Sequence, residues 1–162
     1  MLCRKGKFGP IRVAQRNGVQ MLLLNEQVQG AAFMEPGADI VDETLKGPGP
    51  IASSPYTYGW LLGGIEYPFG SGLMIGLGSG IGAVQLLYNF PDMDLTVVEI
   101  DPVMAEVALR SFPLLDYYIN LGRLHIVIAD ASDYCAGLND TFDIGFVDAY
   151  DGGSSFALLT EY

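Results

Sequence analysis

From Gly72 onward the sequence alternates short apolar runs with segments of helical period, and no other feature restricts the fold as tightly. Leu73 to Ile75 is an apolar strand that runs into the glycine loop 76-GLGSGIG-82. Ala83 to Phe90 then sets Ala83, Leu86, Leu87 and Phe90 on one helical face before Pro91 stops the helix. Leu95 to Ile100 is a β-branched strand, followed by Asp101 as an N-cap and Pro102 at the first helical position. The helix they start runs to about Ser111, with Val103, Met104, Val107 and Ala108 inward. Leu124 to Ala129 forms a third strand, Asp133 to Leu138 a short helix, and Phe142 to Val147 a fourth strand. Continuous apolar strands joined by helices predict a parallel sheet covered on both faces, hence a doubly wound α/β domain.

Residues 8 to 33 predict a different unit. An extended run to Gln15, the turn signal Arg16-Asn17-Gly18, the run Val19 to Leu24 and a third extended piece around Ala31 to Phe33 form a small antiparallel β unit. The segment from Glu35 to Pro55 is rich in Gly, Pro and Asp and connects the two units. The sequence therefore divides into 1–55, a hairpin unit with its linker, and 56–162, the α/β domain. An open doubly wound sheet usually has more than four strands. The early C-terminus thus predicts either a truncated sheet or one completed by a partner chain, and an open strand edge invites homodimerisation.

The net charge of −11 excludes a nucleic-acid backbone or an anionic membrane surface as the natural partner and favours a cationic ligand. Six of the eight basic residues lie at or before Lys46, while fourteen acids fall from Glu66 onward. Residues 67 to 91 are uncharged, but six glycines between Gly70 and Gly82 argue against a spanning helix. Cys3 and Cys135 fit no metal spacing; they predict reduced thiols in a cytoplasmic protein and receive no role.

In an open α/β sheet, ligands bind beyond the carboxyl ends of the strands, where strand order reverses. Here the first strand ends in the glycine loop, the second in Glu99, the third in Asp130 and the fourth in Asp148, with Asp151 three residues on. Three successive strands deliver a carboxylate to one sheet edge. The loop lets backbone approach a ligand and opens a helix N-terminus. Gly78, Gly80 and Ala83 also satisfy a dinucleotide-type G-x-G-x-x-A spacing, so a nicotinamide cofactor stays open on the loop alone.

The order IGLGSG, VVEIDP, IADASDY, FDIGFVDAYDG and LLTEY, preceded by 19-VQMLLLNEQVQ-29, resembles the spermidine synthase-like branch of the S-adenosylmethionine-dependent transferases. The resemblance covers roughly residues 8 to 162 and implies a Rossmann-like methyltransferase fold. It implies that Gly76, Gly78, Ser79 and Gly80 line the nucleoside and that Glu99 holds the ribose hydroxyls. Asp130, with Ala131 beside it, would accept from the adenine amino group. Asp148 falls at the position of the catalytic base and Asp151 at that of the anchor for the distal ammonium of a polyamine. Gln29 and Tyr56 match substrate-side residues. The donor implied is S-adenosylmethionine or its decarboxylated form, the acceptor an amine, and no metal is required.

Three departures accompany the resemblance. The synthases carry an aspartate at the loop position of Ser79, a His-Glu pair at Thr57-Tyr58, and Asp-Gly at Asn25-Glu26. The leading expectation is aminopropyl transfer to a polyamine. Ser79 keeps a methyltransferase open beside it, and the departures together keep open a nucleoside-binding module without turnover.

Overall fold

The computed structural model describes residues 2–16, 18–33, 41–42, 47–48, 59–61, 70–139 and 141–149. Four antiparallel strands come first: β1 (Leu2–Lys5), β2 (Pro10–Arg16), β3 (Val19–Leu24) and β4 (Gln27–Phe33), paired in chain order. Arg16 stands opposite Val19, so a two-residue loop ending in Gly18 at φ 75° closes the β2–β3 hairpin that Asn-Gly predicts. β1 lies ahead of the unit expected from residue 8, because LCRK has no apolar alternation to announce it. Within the connecting segment, β5 (Val41–Asp42) and β6 (Gly47–Pro48) pair antiparallel. The division at 55/56 lies outside the described residues.

The β3–β4 turn is the strained one. Leu24 stands opposite Gln27, and the two residues between them, Asn25 and Glu26, have φ 50° and 64°. Both sit in the left-handed region of a type I′ hairpin, which Asn tolerates and Glu does not. An ion pair from Arg12 Nη1 to Glu26 Oε1 at 2.6 Å offsets part of that cost, but the glutamate is well exposed. Glu26→Gly is therefore expected to stabilise the protein by about 0.5–1 kcal/mol, the relief of left-handed strain less a weak surface pair. A denaturant midpoint that falls instead of rising, at unchanged slope, would show that the ion pair outweighs the strain.

The second sheet contains β7 (Ser71–Ile75), β8 (Asp94–Glu99), β9 (Leu124–Ile128) and β10 (Ile144–Val147), all parallel, in the order β10-β7-β8-β9. Its helices are α1 (Ile81–Asn89), α2 (Pro102–Ser111), α3 (Leu114–Asn120) and α4 (Ala131–Ala136). The architecture is the expected one, a Rossmann-like parallel sheet preceded by a small antiparallel unit. No local pattern in the sequence announces α3, a short helix entered at Pro113 that buries Leu115 and Tyr118.

Among the described residues the two faces of the parallel sheet are unequally covered. Steps β7→β8→β9 run in one direction, so right-handed crossovers put their helices on one face. There Met74, Leu95, Val97 and Phe146 join Val84, Leu87, Leu115 and Tyr118 in a core that continues into Ile11, Leu22 and Leu24 of the first sheet. The return to β10 reverses direction and places α4 on the opposite face, but α4 buries none of its residues. On that side Val147 is 46% exposed and Val98 2%.

Two polar side chains fix the strand and helix ends. Arg123, just before β9, donates to the carbonyls of Leu87, Phe90 and Met93 around the C-terminal end of α1 and lies 5.5 Å over the Tyr118 ring. Burial pushes the Tyr118 hydroxyl up to about 12. Asp143, just before β10, accepts from Ser71 N at 2.8 Å, Gly70 N at 2.9 Å and Ser71 Oγ at 3.1 Å, which ties the start of β10 to that of β7.

The Ser71 and Gly70 amides, then the Ser71 hydroxyl, hold the Asp143 carboxyl below its usual range. A lowered folded-state pKa contributes stability above the unfolded value near 3.9 and loses it as pH falls through the folded value. Asp143→Asn is expected to lower stability at neutral pH and to flatten its decline below about pH 4. Thermal midpoints of both proteins from pH 7 to pH 3 check this; parallel curves would remove the assignment.

Candidate functional site

Register brings the strand ends together. Val147, Ile75 and Val98 stand side by side, so the next position of each strand forms a row: Asp148, Gly76 and Glu99. The backbone pairing continues into that row, with Asp148 N donating to Ile75 O and Gly76 N to Val98 O, each at 2.8 Å. Asp148 and Glu99 flank Gly76, one strand spacing away on either side, about 9.5 Å apart between backbones. Strand order reverses at β7, so the row lies at the switch point where open α/β sheets bind ligands.

Gly76 is obligatory here. Its φ is 91°, and a Cβ would lie 2.4 Å from the Asp148 carbonyl oxygen. Gly78 and Gly80 follow at φ 54° and 78°, and the loop leads directly into α1. Glu99 holds the loop in place: only 7% exposed, it accepts from Leu77 N through Oε2 and from Asp101 N through Oε1, both at 2.9 Å. Each carboxylate oxygen has a further lone pair beyond these bonds.

Ser79 is buried against the first sheet. It is 2% exposed, its hydroxyl accepts from Ile81 N at 3.4 Å, and it packs on Gly30 of β4 so closely that a Cβ there would meet Ser79 Oγ. Gln29, the neighbour of Gly30, puts its main-chain carbonyl beside Gly78 and donates from Nε2 to Gln27 O at 3.4 Å. The first sheet thus forms a wall of the glycine loop.

Asp130 lies two residues beyond Ile128, the β9 partner of Glu99. It is exposed and caps α4, accepting from Ser132 N through Oδ1 at 2.8 Å, and Ala131 opens that helix. Tyr56 and Asp151 lie outside the described residues. The structure therefore gathers Asp148, Gly76, Gly78, Glu99 and Asp130 at one sheet edge and packs Ser79 on β4. Among the described residues no group of three His, Cys, Asp or Glu could hold a metal ion, and no helix is long and apolar enough to cross a membrane.

One residue of the site goes beyond what the sequence signals. Asp101 reads as a helix cap and does cap α2. It also accepts from Lys7 N, ninety-four positions away, a partner that no local pattern announces.

No family model matches the chain. It is similar to the polyamine aminopropyltransferase of Thermoplasma volcanium, 34% identical over 101 residues that make up 59% of this chain and 37% of that protein. The polyamine aminopropyltransferase of Thermoplasma acidophilum is 33% identical over 79 residues, 49% of this chain and 29% of that protein. Among solved structures, a probable spermidine synthase from Corynebacterium glutamicum superposes with TM-score 0.67 at 15% identity, over 94% of this chain and 53% of that one. The spermidine synthase of Thermotoga maritima gives TM-score 0.51 at 17% identity, over 86% and 47%. The chain spans well under half the length of these curated relatives and about half that of the solved proteins. It has their fold, and fold and sequence together carry homology to the spermidine synthase and S-adenosylmethionine-dependent transferase superfamily.

Proposed function

We propose that the chain is a spermidine synthase-like transferase, which binds an S-adenosylmethionine-type donor at the switch point and moves its aminopropyl group to a polyamine. The observation that carries this reading is the row Asp148–Gly76–Glu99: a carboxylate beside the close-approach glycine, with the loop held by a second carboxylate. The nucleoside lies along Gly76 to Gly80, with Glu99 at its ribose and Asp130 and Ala131 at its adenine. Asp148 takes a proton from the acceptor ammonium. The freed nitrogen lone pair forms a bond to the propyl carbon attached to sulfonium as that carbon–sulfur bond breaks, releasing methylthioadenosine. Asp151 anchors the far ammonium of the acceptor, and Gln29 and Tyr56 line the acceptor side. Proximity and general base catalysis carry the step.

Ser79 supports a second reading. With its side chain turned onto β4, the loop offers no carboxylate to the amine of a decarboxylated donor, which favours a methyltransferase using S-adenosylmethionine itself. Calorimetry with both donors separates the two. Tighter binding of the decarboxylated donor is the expected result, and tighter binding of S-adenosylmethionine would replace aminopropyl transfer by methyl transfer. A chain that binds methylthioadenosine but turns over neither donor would be a binding module.

A further inference from the structure

A line of hydrogen bonds leaves the glycine loop and ends in the first sheet. Leu77 N donates to Glu99 Oε2, and Glu99 Oε1 accepts from Asp101 N, both at 2.9 Å. The Asp101 carboxylate, 2% exposed, accepts from Val103 N through Oδ1 at 2.9 Å and from Lys7 N through Oδ2 at 2.6 Å. Lys7 lies in the β1–β2 loop, which Gly6 N closes on Gly9 O. The fit is tight: a Cβ on Gly6 would lie 2.3 Å from Asp101 Oδ2 and 2.5 Å from Ile11 Cδ1. On the other flank of the glycine loop, Ser79 packs on Gly30 of β4. The first sheet therefore touches the loop directly at Ser79 and reaches Leu77 through Asp101 and Glu99.

We infer that Asp101 is a positioning residue for the nucleoside site: it passes the seating of the β1–β2 loop on to Glu99, and through Glu99 to the Leu77 amide. Helix capping alone would need one carboxylate oxygen. Asp101 uses both oxygens, is buried, and spends the second on a backbone amide of the other sheet. The inference rests on the nucleoside reading given above, and its test has one arm that does not.

Two variants disturb the line from opposite sides. Asp101→Asn keeps an oxygen for Val103 N, since Asn caps helices as well as Asp, but faces Lys7 N with a group that cannot accept. Gly6→Ala leaves Asp101 intact and displaces its partner loop. Amide hydrogen exchange is measured at Leu77 and, as internal reference, at Leu86 and Leu87 of α1; methylthioadenosine binding is measured by calorimetry. The expected result in both variants is Leu77 exchange faster by about tenfold with α1 unchanged, and affinity lower by about tenfold, the worth of one hydrogen bond to a charged group. Leu77 exchange equal to wild type, or a rise shared equally with α1, would overturn the inference, as would a loosened loop with unchanged affinity. Should the wild-type chain bind no methylthioadenosine, the nucleoside reading falls, and the coupling of Asp101 to the loop is decided by the exchange arm alone.

Discussion

Asp148→Asn is expected to lower aminopropyl transfer by about 10²–10⁴-fold at neutral pH, the usual contribution of a positioned general base. Donor affinity should stay near wild type, because the backbone bond from Asp148 N to Ile75 O and the contact with Gly76 do not involve the side chain. The deficit has a pH signature under the proposed assignment. An aliphatic ammonium titrates near the lysine value of about 10.4, so the acceptor increasingly loses its proton to solvent as pH rises toward it. The ratio of wild-type to variant turnover should shrink accordingly between pH 7 and pH 10. Full turnover of the variant at neutral pH would remove Asp148 as the base; a loss independent of pH would make it a binding residue.

Arg123→Ala should produce the largest loss of stability. Its guanidinium donates to the carbonyls of Leu87, Phe90 and Met93 where α1 ends, Phe90 O accepting from Met93 N as well, and covers one face of Tyr118. Charge-assisted hydrogen bonds are each worth about 1.5–3 kcal/mol, and the carbonyls left behind lie beside a buried core. A loss of about 3 kcal/mol is expected, which for a chain of this size lowers the thermal midpoint by about 10 °C. Arg123→Lys should recover only part of it, since an ammonium is a point donor that cannot fork between separate carbonyls. Chemical unfolding of the three proteins checks the order; a cost below about 1 kcal/mol for the alanine variant would show that α1 is closed by its own backbone bonds.

Strand ends and the glycine loop were legible because their signals are local. Apolar runs, Pro91, Asp101-Pro102 and the spacing of glycines mark β7 to β10 within a few residues, and parallel pairing then forces Glu99 and Asp148 into one row with Gly76. The Asn-Gly hairpin was legible for the same reason. What escaped depends on partners far away in the chain. Nothing around Ser79 tells that Gly30 will lie against it, nor does IDP reveal that Lys7 completes the bonding of Asp101. The helix at Leu114 escaped for another reason: its order of apolar and polar residues is short, and its burial of Leu115 and Tyr118 is decided by α1 and Arg123 rather than by periodicity.

The return of β10 to the side of β7 also has a kinetic meaning. The bonds from Ser71 to Asp143 join residues seventy-two positions apart, whereas β7–β8 and β8–β9 pair much nearer neighbours in the chain. Contacts that close longer loops are entropically harder to form early. Asp143→Asn is accordingly expected to speed unfolding while leaving refolding unchanged, the signature of a contact absent from the transition state; slowed refolding would place β10 in the folding nucleus instead. The wall that Asp148 gives the crevice would then be the last part of the sheet to assemble and the first to open, so a ligand seated between β7 and β10 would act chiefly on the lifetime of the native state.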